Sequence, residues 1–525
     1  MNKLKKLMGI LFMTAILVSG CQSETQSPSV ENNTKQEVST ENTLIYGSKD
    51  YTSINPALYE HGEINALIFS GLLQHDKNND LVPDLAKSWS YDSDAMTYSF
   101  ELRDDVKWHD GIAFTADDVK FTLEAILNPE NGSEIVSNYE DISDIRVNSD
   151  TSIDIVLSTP NVAMADYLTI GVLPKHILEN EDLATAEFNQ KPIGTGPFEL
   201  TAWDRGQAIV LSKNEDFYEG APKLDQVMFK IVPDDNIRAM QLEAGELDFA
   251  QVTPKSAKAM EVNENLVFYD MKTADYRGIM YNFNAPLFKN HPGITNALSY
   301  AIDRNAILET VLLGKGEVAY SPLQKGEFNN PDIEKFEYNP QRAMDLLEAD
   351  EWIKNDDGIY EKDGDKLEFE INCMEGDQVR ADMAMIAAEN LKAIGVNAKV
   401  SVKSDIDWDN QDAFLIGWGS PFDPDDHTYK VFGTAKGANY QYYSNESADI
   451  YLKKARETED IDERKGYYAE FQHAMTEKMP YTFMVYIDAI YGSNNSIKGI
   501  SETTLLGHHG VGVFWNIEEW EKIDK

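Results

Sequence analysis

Along this chain apolar residues recur at two characteristic spacings, which predict a mixture of strands and helices. Short alternating or apolar runs at 43–46, 97–102 and 153–157 predict strands. Between Pro292 and Leu313, Ile294, Ala297, Leu298, Ala301, Ile302 and Ile307 return every few residues on one stripe. A proline near the start and Gly314 past the end complete the pattern of an amphipathic helix. Thr115 precedes another periodic run, with Asp118 three residues on, which is the spacing of a capping box. Strands and helices alternating in this way favour α/β lobes.

The N-terminal end follows a different pattern. Lys3, Lys5 and Lys6 precede a short apolar run over 7–18. At about 1.5 Å per residue that run falls well short of a hydrocarbon core of roughly 30 Å, so it predicts an export signal over 1–20 rather than a spanning helix. It ends in Leu17-Val18-Ser19-Gly20-Cys21, which resembles a bacterial lipobox with Cys21 as the lipidated residue. Lipid chains on that cysteine would anchor the protein to the membrane. Residues 21–43 are Ser, Thr, Asn, Gln and Glu with almost nothing apolar, and read as a flexible tether. From Leu44 onward the composition is that of a folded body.

Charge narrows the partners. The 525 residues carry 46 Lys and Arg against 90 Asp and Glu, a formal net charge of -44. Nucleic acid is excluded, because its recognition needs basic surface to neutralise phosphates. Anionic lipid would repel this surface, so membrane attachment falls to the lipid anchor. A mean hydropathy of -0.43 excludes a polytopic membrane protein. Besides Cys21 the only cysteine is Cys373, so no internal disulfide can form; Cys373 lies in an alternating run and is expected to be a buried strand thiol.

No nucleophile elbow, phosphate-binding lysine loop, zinc-protease helix or paired Cys-x-x-Cys occurs, and nothing points to an enzyme, a metal site or a cofactor. Gly314-Lys315-Gly316 follows a predicted helix rather than a strand and reads as a turn. His508 and His509 are adjacent, and on a strand they would face opposite ways, a poor chelating pair. The segment Gly417-Trp418-Gly419-Ser420-Pro421-Phe422-Asp423-Pro424-Asp425-Asp426-His427 gathers acids, an aromatic wall and an imidazole. Asp423 and Pro424 would open a short helix to Phe432, with Asp425 and Asp426 favourable in its first turn. The alternative reading is that a carboxylate here faces a ligand cation.

Longer stretches carry a resemblance. Leu81-Val82-Pro83-Asp84-Leu85-Ala86-Lys87-Ser88-Trp89, the run from Thr97 to Gly111 and Phe114-Thr115-Ala116-Asp117-Asp118-Val119 resemble the signature of the extracytoplasmic solute-binding proteins of family 5, which serve peptide and nickel ABC importers. Gly194-Thr195-Gly196-Pro197-Phe198, Tyr281-Asn282-Phe283-Asn284, the run from Ala297 to Arg304 and Gly417-Trp418 extend it in order along the chain. The resemblance implies an α/β, two-lobed fold like that of periplasmic binding proteins (type II, cluster C), with an extra subdomain inserted in the first lobe. On that template lobe I spans 44–285 with the insert at about 86–195, lobe II spans 286–494, and 495–525 returns to lobe I. It further implies a monomeric receptor on the extracytoplasmic face of a Gram-positive cell membrane, delivering short peptides to ABC permease subunits. A nickel-chelate receptor and a peptide-pheromone receptor of the same family stand as alternatives.

In peptide-binding relatives an aspartate three positions after the Gly-Trp commonly pairs with the peptide amine. Pro421 stands there in this chain, so Asp423 is the expected substitute. Trp418 is expected to wall the cleft, Tyr281 and Asn282 to supply lobe I contacts, and Tyr46, Tyr51, Asp426 and His427 to complete the site. Arg277 is expected at the surface, with a carboxylate clamp as the alternative.

Overall fold

Strand Thr43–Ser48 alternates little, burying residues on both faces, as a central strand covered on each side must. It pairs in parallel with Gln226–Ile231 and Phe249–Val252 in the middle of a seven-stranded sheet. The computed structural model describes residues 42–59, 62–502 and 505–523. The expected export signal, the lipidated Cys21 and nearly all of the tether lie outside the described residues.

The chain leaves this first sheet after strand Leu266–Met271 and enters a six-stranded second sheet at Tyr276–Tyr281. It returns between Tyr481–Ile487, in the second sheet, and Ala489–Asn494, in the first. Two short crossovers therefore join two lobes, each with its own apolar core. The second lobe's strands span 276–487, beginning and ending before the expected 286 and 494, because Tyr276–Tyr281 and Ala489–Asn494 hydrogen-bond into opposite sheets. A four-stranded antiparallel sheet built from strands between Ala86 and Leu157 lies within the range read as an inserted subdomain.

Local signals explain most elements. Thr115 and Asp118 form the capping box that starts helix Ala116–Leu127. Trp108 is buried, and Gly111 closes a turn onto its carbonyl with φ +86°, a conformation glycine adopts freely. The single helix expected over 292–313 is instead two, Ile294–Tyr300 and Arg304–Thr310. Asp303 accepts the Ala306 amide and starts a second helix, which the apolar periodicity alone does not reveal. Gly314 and Gly316 form the turn into a short strand, and Cys373 is a fully buried strand thiol that burial pushes up to about 12.

Candidate functional site

The cleft between the lobes holds two chambers. One, about 280 Å³, is walled by Phe69, Tyr139 and Tyr167 from the first lobe and by Trp418, Phe422 and His427 from the second. The other, about 330 Å³, lies against the crossovers and is lined by Tyr46, Tyr51, Arg238, Arg277, Arg380 and His509 among others. Gly62 and Glu63 line both. Both lobes thus touch anything that enters, and the walls mix aromatic faces with a few polar groups, as small-ligand sites do.

The second chamber is rich in charge, and most of it is paired. Arg238 is bonded to Asp235, Arg277 to Asp275, and Arg380 lies 3.2 Å from Asp377. Asp275 also receives His508 Nδ1 at 2.9 Å. Burial works to raise the Asp275 carboxyl, but Arg277 and His508 outweigh it and hold it at about 2. Burial pulls His508 down to about 4 against the attraction of Asp275, which leaves it neutral at pH 7. Helix Gln378–Ile394 presents Arg380 near its start because Asp377 caps that end, accepting the Arg380 amide. Gly417 makes room for Arg277: a Cβ at that position would overlap the guanidinium.

Of the residues nominated from sequence, Trp418, Asp426 and His427 line the first chamber, and Tyr46 and Tyr51 the second. Asp426 is not a free carboxylate; Lys430 lies 3.1 Å away and Asn138 of the first lobe donates to it at 3.3 Å. Burial lowers the His427 pKa, so its ring is neutral; Nε2 lies 3.3 Å from the Pro322 carbonyl, and Nδ1 has no hydrogen-bond partner among the described residues.

Three nominations meet a different placement. Asp423 lines neither chamber: Arg464 donates to both its oxygens at 2.6 Å, and its Oδ1 accepts the Asp425 amide, so it is consumed as a structural ion pair and helix start. Tyr281 and Asn282 belong to the second lobe rather than the first and are fully buried in its core. Tyr281 bonds Thr482 at 2.7 Å and Asn282 donates to the Gln411 carbonyl at 2.8 Å, which leaves neither facing a chamber. Arg277, expected at the surface, is 7% exposed and lines the second chamber. Its signal was legible: a lone charge in the otherwise apolar strand Tyr276–Tyr281 must find a buried partner. His508 and His509 sit in a tight turn rather than a strand, with ring centroids 3.7 Å apart, so they do not point to opposite faces. Glu63, Arg238 and Arg380 carried no comparable sequence signal.

Comparison with known proteins places this architecture. A family model described as bacterial extracellular solute-binding proteins, family 5, matches residues 80–440. The oligopeptide-binding protein AppA of Bacillus subtilis (strain 168) is 32% identical over 540 residues, covering 98% of each chain. Its solved structure with a nonapeptide superposes with a TM-score of 0.85 at 32% identity, covering 92% of this chain and 99% of that one. NikZ from Campylobacter jejuni, solved in complex with Ni(L-His), gives a TM-score of 0.89 at 41% identity, over 92% and 100% of the two chains.

Proposed function

We propose that this chain, which belongs to the bacterial extracellular solute-binding proteins of family 5, captures short peptides between its lobes and hands them to the permease of an ABC importer. It is a receptor and not an enzyme; its site binds and releases. The observation that carries the reading is the pair of chambers at the lobe interface, lined from both sides in a chain alike over nearly its full length to an oligopeptide-binding protein. Chambers of this size suit ligands of a few residues. Main-chain hydrogen bonds to an extended peptide would supply affinity, while aromatic walls and bridging water accommodate varied side chains.

Capture follows from differential affinity. A ligand that touches Tyr46 and Tyr51 on one side and Trp418 and Arg277 on the other binds the closed arrangement better and draws the population there. Moving a 1:99 equilibrium to 99:1 takes roughly a 10⁴-fold preference, within reach of a ligand held by both lobes. In this reading the protein is a monomer on the extracytoplasmic face, tethered through a lipidated Cys21 as suits a Gram-positive cell. No helix among the described residues is long and apolar enough to cross a membrane.

A nickel chelate is the second reading, favoured by His508 at the first chamber and His509 at the second, with ring centroids 3.7 Å apart, and by the likeness to NikZ. No cluster of three or more metal-ligating side chains occurs among the described residues, so a chelator would complete the coordination of such cargo. Native mass spectrometry of protein purified from rich medium separates the two. A heterogeneous envelope of peptide adducts supports the first reading, and a single nickel–chelate mass overturns it.

A further inference from the structure

Glu63 occupies a singular position in the cleft. It lies at the junction of the chambers, facing both. Gly62 before it takes φ +150° and passes so close to Tyr51 that a Cβ there would sit 3.0 Å from the ring. The Tyr46 hydroxyl donates to its carboxylate at 3.1 Å. Tyrosine hydroxyls orient a carboxylate without neutralising it.

Charge accounting around it is uneven. Arg238, Arg277 and Arg380 each already hold an aspartate. Asp426 has Lys430, and Asp166 is bonded to His75. Among the described residues Glu63 has no ion-pair partner; Lys49, at the exposed rim, attracts it without bonding it. Burial raises its carboxyl above the usual range, against the opposing pull of the tyrosine hydroxyls and Lys49. A desolvated carboxylate of this kind gains most from a cation that arrives with the ligand.

We propose that Glu63 recognises a primary ammonium group on the ligand and thereby selects ligands that carry one. The inference rests on the peptide reading and supplies the residue for which Asp423, held by Arg464, is unavailable. The ammonium can be the chain-terminal amine of a peptide or a lysine side chain, since both present the same chemistry.

The test uses the full chain, stripped of ligand, and pools of mixed di- to tetrapeptides with free or Nα-acetylated ends, read by native mass spectrometry and titration calorimetry. Wild type should take the free-amine pool and bind the acetylated, lysine-free pool roughly 30-fold more weakly. Glu63→Gln should lose that discrimination. Capture of acetylated peptides only when they contain lysine assigns the ammonium to the side chain and supports the same role. Discrimination that survives in Glu63→Gln, or wild type that binds both pools alike, overturns the role of Glu63 and leaves the peptide reading standing. Wild type that binds neither pool overturns both. Should Glu63→Gln fail to fold, Glu63→Asp keeps the charge but withdraws it; it should weaken the free-amine pool several-fold and leave the acetylated pool unchanged, and equal affinity for the free-amine pool overturns the proposal.

Discussion

Tyr167 donates a hydrogen bond to Asp425 across the boundary between the lobes, from the first lobe's core cluster to a carboxylate with no exposed surface in the second. Arg456 grips the same carboxylate oxygen, with Nε at 3.0 Å and Nη2 at 2.6 Å, and its Nη1 reaches Asp141 of the first lobe at 3.2 Å. Nearby, Phe422 of the second lobe stacks on His75 of the first at 3.6 Å between centroids. These contacts hold the two lobes together, and Tyr167 and Phe422 also wall the first chamber.

Tyr167→Phe removes one donor and keeps the ring. Loss of a hydrogen bond to a buried carboxylate costs about 1–3 kcal/mol. The expected result is faster ligand release, by roughly tenfold or more, with little change in melting temperature; stopped-flow dissociation checks it. Arg456→Met should do more, because it leaves Asp425 buried and unpaired, a loss of about 3–5 kcal/mol seen as a lower melting temperature.

Asp423→Asn separates structure from recognition. With its carboxylate held by Arg464, this substitution should destabilise the second lobe, while the folded fraction keeps its ligand affinity. Thermal melts and calorimetry on the same preparation decide; an unchanged melt with a large loss of affinity would contradict the assignment.

Gly417→Ala and Trp418→Ala test the chamber walls. An alanine Cβ at position 417 would displace Arg277, and Trp418 is a buried aromatic wall of the first chamber. Truncating such a wall costs about 2 kcal/mol or more of binding, roughly 30-fold in Kd. Titration calorimetry on both variants checks this, and wild-type affinity in both would contradict the assignment of the chambers.

Buried acids and buried histidines oppose each other in the pH response. Burial raises Asp84 to about 7, although Tyr218 donates to it. In the unfolded chain an aspartate titrates near 4, so between roughly pH 4 and 7 the folded state keeps a proton that the unfolded state releases, and stability falls as pH rises. Glu518, raised by burial to about 7, acts in the same direction. Asp275 acts only lower: its depressed value makes a contribution that is present above about pH 4 and lost toward about pH 2. His508 and His109, pulled down by burial to about 4, act in the opposite direction between about pH 4 and 6.5, so the acid's contribution is read as a difference: Asp84→Asn should gain stability relative to wild type as pH rises from 4 to 7, by up to roughly 4 kcal/mol. A melting-temperature difference between the two proteins that stays constant from pH 4 to 7 would contradict this.

Periodicity and capping located strands Thr97–Leu102 and Ser152–Leu157 and the box at Thr115, because these depend on neighbours in sequence. Family motifs gave the two-lobed plan. Side-chain partners were another matter. Asp423 looks available until Arg464, 41 positions away, covers it. Tyr281 and Asn282 sit in a conspicuous motif whose work is core packing against Thr482 and Gln411. Glu63 stands in an unremarkable stretch, and only the meeting of distant segments makes it a cavity wall. Pairings between far-separated residues leave no periodic trace, whereas a lone arginine in an apolar strand does.

Hydrogen exchange on ligand-stripped chain, before and after adding the peptide pool, tests the central claim most directly. Capture between the lobes predicts new protection at 62–69 on one lobe and at 418–427 on the other together, with the turn at 507–512. Protection confined to a single lobe, or none at all, would contradict it.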